Sequence, residues 1–196
     1  MRRRMAMFLV IAVGTASAAA IALEKPEYVG SKSCKKCHIK QYKSWAEGKK
    51  AATLDILKPG QATESKEKHG LDPNKDYSTD ESCLKCHATG FGEPGGYAVP
   101  DPEDKNAVKK AKALAGAGCE SCHGPGSEYT KLHKEIKESK RTYKVEELHA
   151  AGQMKIDEAN CTRCHNEKSP TYVSFDFATK KEMGSHEHLE LKQREE

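Results

Sequence analysis

Every cysteine of this 196-residue chain belongs to one pattern, C-x-x-C-H, which occurs four times. The pairs are Cys34/Cys37, Cys83/Cys86, Cys119/Cys122 and Cys161/Cys164, and His38, His87, His123 and His165 follow them directly. This is the attachment sequence of c-type haem: the two thiols form thioethers to the porphyrin, and the histidine is the proximal iron ligand. Zinc sites would use the thiols without requiring a histidine after each second cysteine. Disulfides within the pairs would close only tiny loops, and a redox dithiol normally occurs once. Four covalent haems c are therefore expected, and any fold must be arranged around them.

The N-terminus reads as an export signal. Arg2–Arg4 form a basic region, Met5–Val13 a short apolar run, and small residues follow up to Ala22. Residues 1–22 are expected to be a cleaved signal peptide and residues 23–196 a single tetrahaem domain. The expected location is the periplasm or the extracellular space, with no stable membrane insertion after cleavage. About 44 residues per haem then remain. With 36% hydrophobic, 6% aromatic and 32% charged residues, the chain alone would bury a poor core, so the porphyrins must supply apolar interior. The formal charge of +4 includes the three arginines of the signal. With iron and ionised propionates added, the oxidised protein is expected near about −3. No pairing of aromatic and basic residues suggests a nucleic-acid groove.

Helical spacing of Ile39, Tyr42, Trp45, Ile56 and Leu57 predicts a helix from the first motif to Pro59-Gly60, with Trp45 packed on a haem. Glycines and prolines after His87 argue against a long helix there. Residues 103–115 read as helical. Ser127 is expected to cap the helix EYTKLHKEIKE, and the tail after Lys180 also reads as helical. In GAGCESCHGPG, the glycines either remove bulk where haems crowd together or make a turn before the next helix. The fold class is mostly α, with short helices, long irregular loops and little sheet, organised around four covalent haems.

Five histidines remain as candidate distal ligands: His69, His133, His149, His186 and His188. His133 lies ten residues beyond His123 on the expected short helix, placed to reach a neighbouring iron rather than its own. His186 and His188, two apart on the expected helix, point in different directions, so one of them is expected to ligate.

The segments GSKSCKKCHIKQYKSW, LDPNKDYSTDESCLKCHATGFGEPGGY and GAGCESCHGPG, with MGSHEH near the C-terminus, resemble the tetrahaem cytochrome c-554 family. The resemblance implies a compact multihaem cytochrome c fold with haems in stacked and edge-on pairs. It implies His133 as distal ligand of the haem on His38, and one of His186 and His188, preferably His186, for the haem on His165. The haem on His87 is implied to be five-coordinate. For the haem on His123, the family's distal histidine matches Lys50 here. A recruited His69 or His149, Lys50 itself, or an open iron would each resolve that departure.

The expected function is electron relay between redox partners in a respiratory chain, with a donor oxidoreductase on one side and an acceptor cytochrome or quinone-linked complex on the other. Reduction of nitric oxide or another nitrogen oxide at a five-coordinate iron is the enzymatic alternative. A subunit role in a haem wire or larger complex is the third, with monomer or filament left open.

Overall fold

The computed structural model describes residues 25–184 and 186–195; the expected signal peptide lies outside them. The described chain runs through ten short α-helices and one 3-10 turn, the longest helix having 11 residues. Each attachment motif starts on such a helix. Cys34 lies in α1 (Ser31–Lys35), and α2 (Ile39–Ala46) follows His38. After α3 (Thr63–Lys68), α4 (Glu81–His87) carries the whole second motif. After α5 (Lys105–Leu114), α6 (Cys119–His123) is the third. Then come α7 (Tyr129–Ser139), α8 (Val145–Ala150), α9 (Glu158–Thr162) with Cys161, and α10 (Phe177–Met183). One helical turn suits this chemistry because residues three apart share a helix face. The described residues hold no strand, only isolated bridges from Ala88 to Ala115 and Gly116 and from Tyr143 to Arg194.

Three sequence expectations are corrected. The helix after His38 stops at Ala46; Gly48 donates to the Trp45 carbonyl (2.9 Å), and turns lead to the 3-10 segment Asp55–Leu57. Ser127 does not cap α7: its Oγ accepts the Glu27 N–H (2.9 Å), so it fastens the N-terminal segment instead. The tail is helical only to Met183, because Gly184 takes φ +60°. His186 and His188 therefore lie beyond the helix rather than on it.

The apolar core joins Leu54, Leu57, Tyr77, Leu84, Ala88, Tyr97, Ala111 and Leu114. It packs α4 against α5 and the 3-10 turn, on the side of the second motif. Leu84, between the two cysteines of that motif, is fully buried.

Around α6 the packing is polar. Thr89 Oγ1 donates to the Gly116 carbonyl (2.8 Å) and accepts the Gly118 N–H (2.9 Å), while Ser31 Oγ accepts the Cys119 N–H (3.1 Å). A β-carbon on Gly118 would lie 2.6 Å from Ser31 Oγ and 2.8 Å from Thr89 Oγ1. The glycines of GAGCESCHGPG thus admit close approach of other protein atoms.

Candidate functional site

The four motifs, far apart in sequence, form a connected series. The Cys34 and Cys119 thiols lie close enough to perturb one another, as do those of Cys86 and Cys164. The third and fourth motifs are joined by Asn160, whose Nδ2 donates to the Cys122 carbonyl (2.6 Å), and by Arg163, whose guanidinium donates to the Ser121 carbonyl (2.8 Å). In space the order is first, third, fourth, second.

One attachment cysteine departs from the others. Cys37 is exposed, whereas the remaining seven are half-buried. The eight cysteines thus share a motif but not an environment. Cys37 falls in the turn after α1 ends at Lys35, its N–H donating to the Cys34 carbonyl (3.1 Å). Cys164 follows α9 in the same way, its N–H donating to the Cys161 carbonyl (3.2 Å), so the exposure of Cys37 reflects what packs on it rather than the turn itself. In the second and third motifs both cysteines lie on one helix. A thioether needs a thiol within reach of the porphyrin edge, not an enclosed one. The exposure of Cys37 is compatible with the anchoring expected of it.

At the first end, histidines face one another. The His38 and His133 rings are 6.1 Å apart and those of His123 and His186 6.2 Å apart. Two imidazoles on opposite sides of one metal sit about 6 Å apart, given metal–nitrogen bonds of about 2 Å and the ring radii. His133 is held between Tyr129 (6.0 Å) and Tyr143 (6.2 Å). His186 Nδ1–H donates to the Glu187 carbonyl (2.8 Å), which leaves Nε2 free for a metal. The Glu187 N–H in turn donates to Ser44 Oγ on α2 (3.0 Å), docking the C-terminal segment on the first motif. Burial, with His186, His38 and His133 around it, pushes the His123 imidazole down to about 4, so it is neutral near pH 7, as a ligand must be.

At the other end no histidine ring faces His87 or His165 among the described residues. His87 Nδ1–H donates to the Thr53 carbonyl (2.6 Å), again leaving Nε2 free. His165 stacks on Phe175 at 4.5 Å. Partial burial and then the charge of Lys50 push the His165 imidazole below its ordinary value. Lys50 acts on Cys161 of the same motif as well. A cavity of about 980 Å³ opens here, lined by Cys83, Cys86, His87 and His165. It lies at the upper end of the roughly 300–1,000 Å³ of cofactor pockets.

The structure redistributes the distal candidates. His186, expected opposite His165, faces His123. Lys50, one of the options at the haem on His123, accepts the Ala117 N–H (3.0 Å) at the entry to the third motif, while its side-chain charge acts on His165 and Cys161 of the fourth. His69, at the end of α3, and His149, whose Nδ1–H donates to the Gln153 carbonyl (2.9 Å), face no proximal histidine among the described residues. The exposed His188 packs against His186 at 5.1 Å and faces no proximal ring. Trp45 packs on Tyr42 at 5.4 Å and donates to the Ala117 carbonyl (3.0 Å), tying α2 to the entry of the third motif. Glu120, the buried acid within the third motif, is a residue that motif reading misses; its position among glycines is the available signal.

This donor set suits covalent haem: free thiols in pairs, imidazoles whose Nδ1 is held by a backbone carbonyl at His87 and His186, and rings spaced for an iron between them. Comparison with known proteins agrees. The family model for cytochrome c554 and c-prime matches residues 33–124. Cytochrome c-554 of Nitrosomonas europaea is 36% identical over 171 residues, covering 81% of this chain and 69% of that protein. The reduced-state structure of cytochrome c554 from Nitrosomonas europaea superposes with a TM-score of 0.74 at 32% identity, covering 88% of this chain and 91% of that one. With motifs, helical fold and sequence in agreement, the chain belongs to the cytochrome c554 family, the electron-transferring c-type cytochromes.

Proposed function

We propose that this cytochrome carries four haems c and relays electrons along the spatial order of its motifs: first, third, fourth, second. Haem c supplies reversible one-electron chemistry; the chain supplies spacing, ligands and solvent access. His38 and His133 are the axial pair of the first site, and His123 and His186 that of the third. His87 and His165 are the proximal ligands of two sites that no histidine completes. The single observation that carries this reading is the pair of facing histidine couples about 6 Å apart at one end of a continuous series of motif contacts.

The partners in this reading are a donor oxidoreductase and an acceptor cytochrome or quinone-linked complex. Attachment of haem c outside the cytoplasmic membrane and the export signal read at residues 1–22 support a location in the periplasm or beyond. No described helix is long and apolar enough to cross a membrane. A second reading, reduction of a small nitrogen oxide, is favoured by the cavity against His87 and His165.

Intact mass and carbon monoxide titration test the proposal. Expected are four haems per chain and carbon monoxide binding at two reduced irons. Fewer than four haems under full maturation overturns the haem count, and saturation of all irons against carbon monoxide overturns the ligand assignment. Turnover of nitric oxide at a rate matching electron supply would favour the enzymatic reading.

A further inference from the structure

Between the first and third motifs lies a buried acid that the ligand sets do not use. Glu120, the second residue of α6, is fully buried. Its Oε1 accepts the Gly126 N–H (2.7 Å) and the Val29 N–H (2.9 Å). Its Oε2 accepts the Gly30 N–H (2.6 Å) and, more weakly, that of Val29 (3.2 Å). Gly126 has to be glycine for this: a β-carbon there would lie 2.8 Å from Oε1. Gly30, at φ +82°, turns successive backbone N–H groups toward one point, an anion-binding concavity.

Both carboxylate oxygens therefore face donors. A protonated carboxyl would need an acceptor for its own hydrogen, and every contact recorded here is with an N–H. Burial alone favours the neutral acid, and it is the largest influence, raising the Glu120 carboxyl above its ordinary value; the three N–H donors oppose it. Carboxylates accepting two or three backbone N–H bonds can remain ionised even when buried. The geometry argues for the ionised form, because the neutral form leaves its hydrogen without a recipient. No lysine or arginine forms an ion pair with Glu120 among the described residues, so its charge is balanced only by backbone dipoles. That charge lies within electrostatic reach of both neighbouring attachment points, Cys34 and Cys119.

We propose that Glu120 is a positioning residue whose ionised carboxylate clamps residues 29–30 and 126 around the third motif and holds down the reduction potentials of the haems at Cys34 and Cys119. A fixed negative charge in a water-poor interior favours ferric over ferrous iron, and burial and local charge are among the levers by which a protein tunes haem. Of the four sites, those of the first and third motifs lie nearest the carboxylate, which bonds residues just before Cys34 and just after His123. The inference rests on the four-haem reading proposed above.

The test is a spectroelectrochemical titration of the full haem-loaded protein and of Glu120→Gln and Glu120→Asp, with haem number checked by mass. Both substitutions disturb the clamp; only glutamine removes the charge. In Glu120→Gln, two of four one-electron steps should become about tenfold easier to reduce, about 59 mV per one-electron couple. In Glu120→Asp they should stay closer to wild type, with low-spin signals of both facing pairs kept. Equal shifts in both variants, or no shift in glutamine, overturn the proposal while four attached haems leave the broader reading standing. Fewer than four haems in the wild type defeats that reading instead. If Glu120→Gln does not mature, infrared difference spectra of the wild-type protein decide: a buried carboxylate band that responds to reduction of the first steps supports the proposal, and a protonated carboxyl in the oxidised protein overturns it.

Discussion

The two ends of this molecule are built differently around the same motif. At the first and third motifs, the helices are capped by Gly30 and Gly118, with no side-chain cap. At the second and fourth, Asp80 and Asp157 cap them, accepting N–H bonds from Ser82 and Asn160. The first end is packed through glycines, a buried carboxylate and hydroxyl groups, and each proximal histidine has a second imidazole in front of it. The other end leans on the apolar core and opens onto the large cavity. Close backbone approach leaves no room to vary the environment of an iron, whereas a core beside a cavity leaves one face accessible. The contrast teaches that an identical motif can be set before a second imidazole or before a cavity, depending on what the rest of the chain brings across.

The sharpest way to break this comparison is to remove a facing imidazole. His133→Ala and His186→Ala should each convert one low-spin centre to high-spin, with all four haems still attached, and raise carbon monoxide binding by one iron per chain. Electron paramagnetic resonance reads this directly; an unchanged low-spin population in either variant removes that histidine from the ligand set.

Stability should respond through different causes at the two ends. Leu84→Ala, in the core beside the second motif, should cost about 2–5 kcal/mol, since it empties a fully buried site. Gly118→Ala should cost about 1–3 kcal/mol through overpacking against Ser31 and Thr89. Denaturant unfolding of the haem-loaded variants measures both. A neutral Gly118→Ala would show that the polar end tolerates a side chain and that the contrast in packing is overstated.

Lys50 sharpens the comparison at the open end. Lys50→Ala should alter the spectrum of the centre on His165 and leave that on His123 unchanged, because the lysine acts on the fourth motif. A change confined to the His123 centre would return Lys50 to the place the sequence suggested. The smallest effect is expected from His69→Ala and His149→Ala, which should leave all four iron spectra as in the wild type. Loss of a low-spin signal in either would restore a recruited histidine.

Much of the site is legible in the residues alone. The attachment cysteines and proximal histidines follow from covalent chemistry that spans five consecutive positions, so no tertiary information is needed to find them. Their surroundings are another matter: nothing in the motif itself distinguishes the exposed Cys37 from the seven half-buried thiols. Short helices, sparse sheet and the helix over Lys105–Leu114 also follow from local pattern and capping. What could not be read is which distant group faces which iron. His186 stands 63 residues beyond His123, and its place depends on Gly184 ending α10 and on Glu187 reaching Ser44. A helical reading of the tail, reasonable from its periodicity, hides that turn. Glu120 is equally hidden: an acid in a glycine-rich motif looks solvent-facing until Val29, Gly30 and Gly126 are brought against it. The sequence by itself determined where cofactors are anchored, because bonds to neighbouring residues are set by spacing along the chain. Only the tertiary structure decided which proximal histidines face a second imidazole, which face a cavity and where a buried acid lies, because those depend on packing between segments that the sequence keeps far apart.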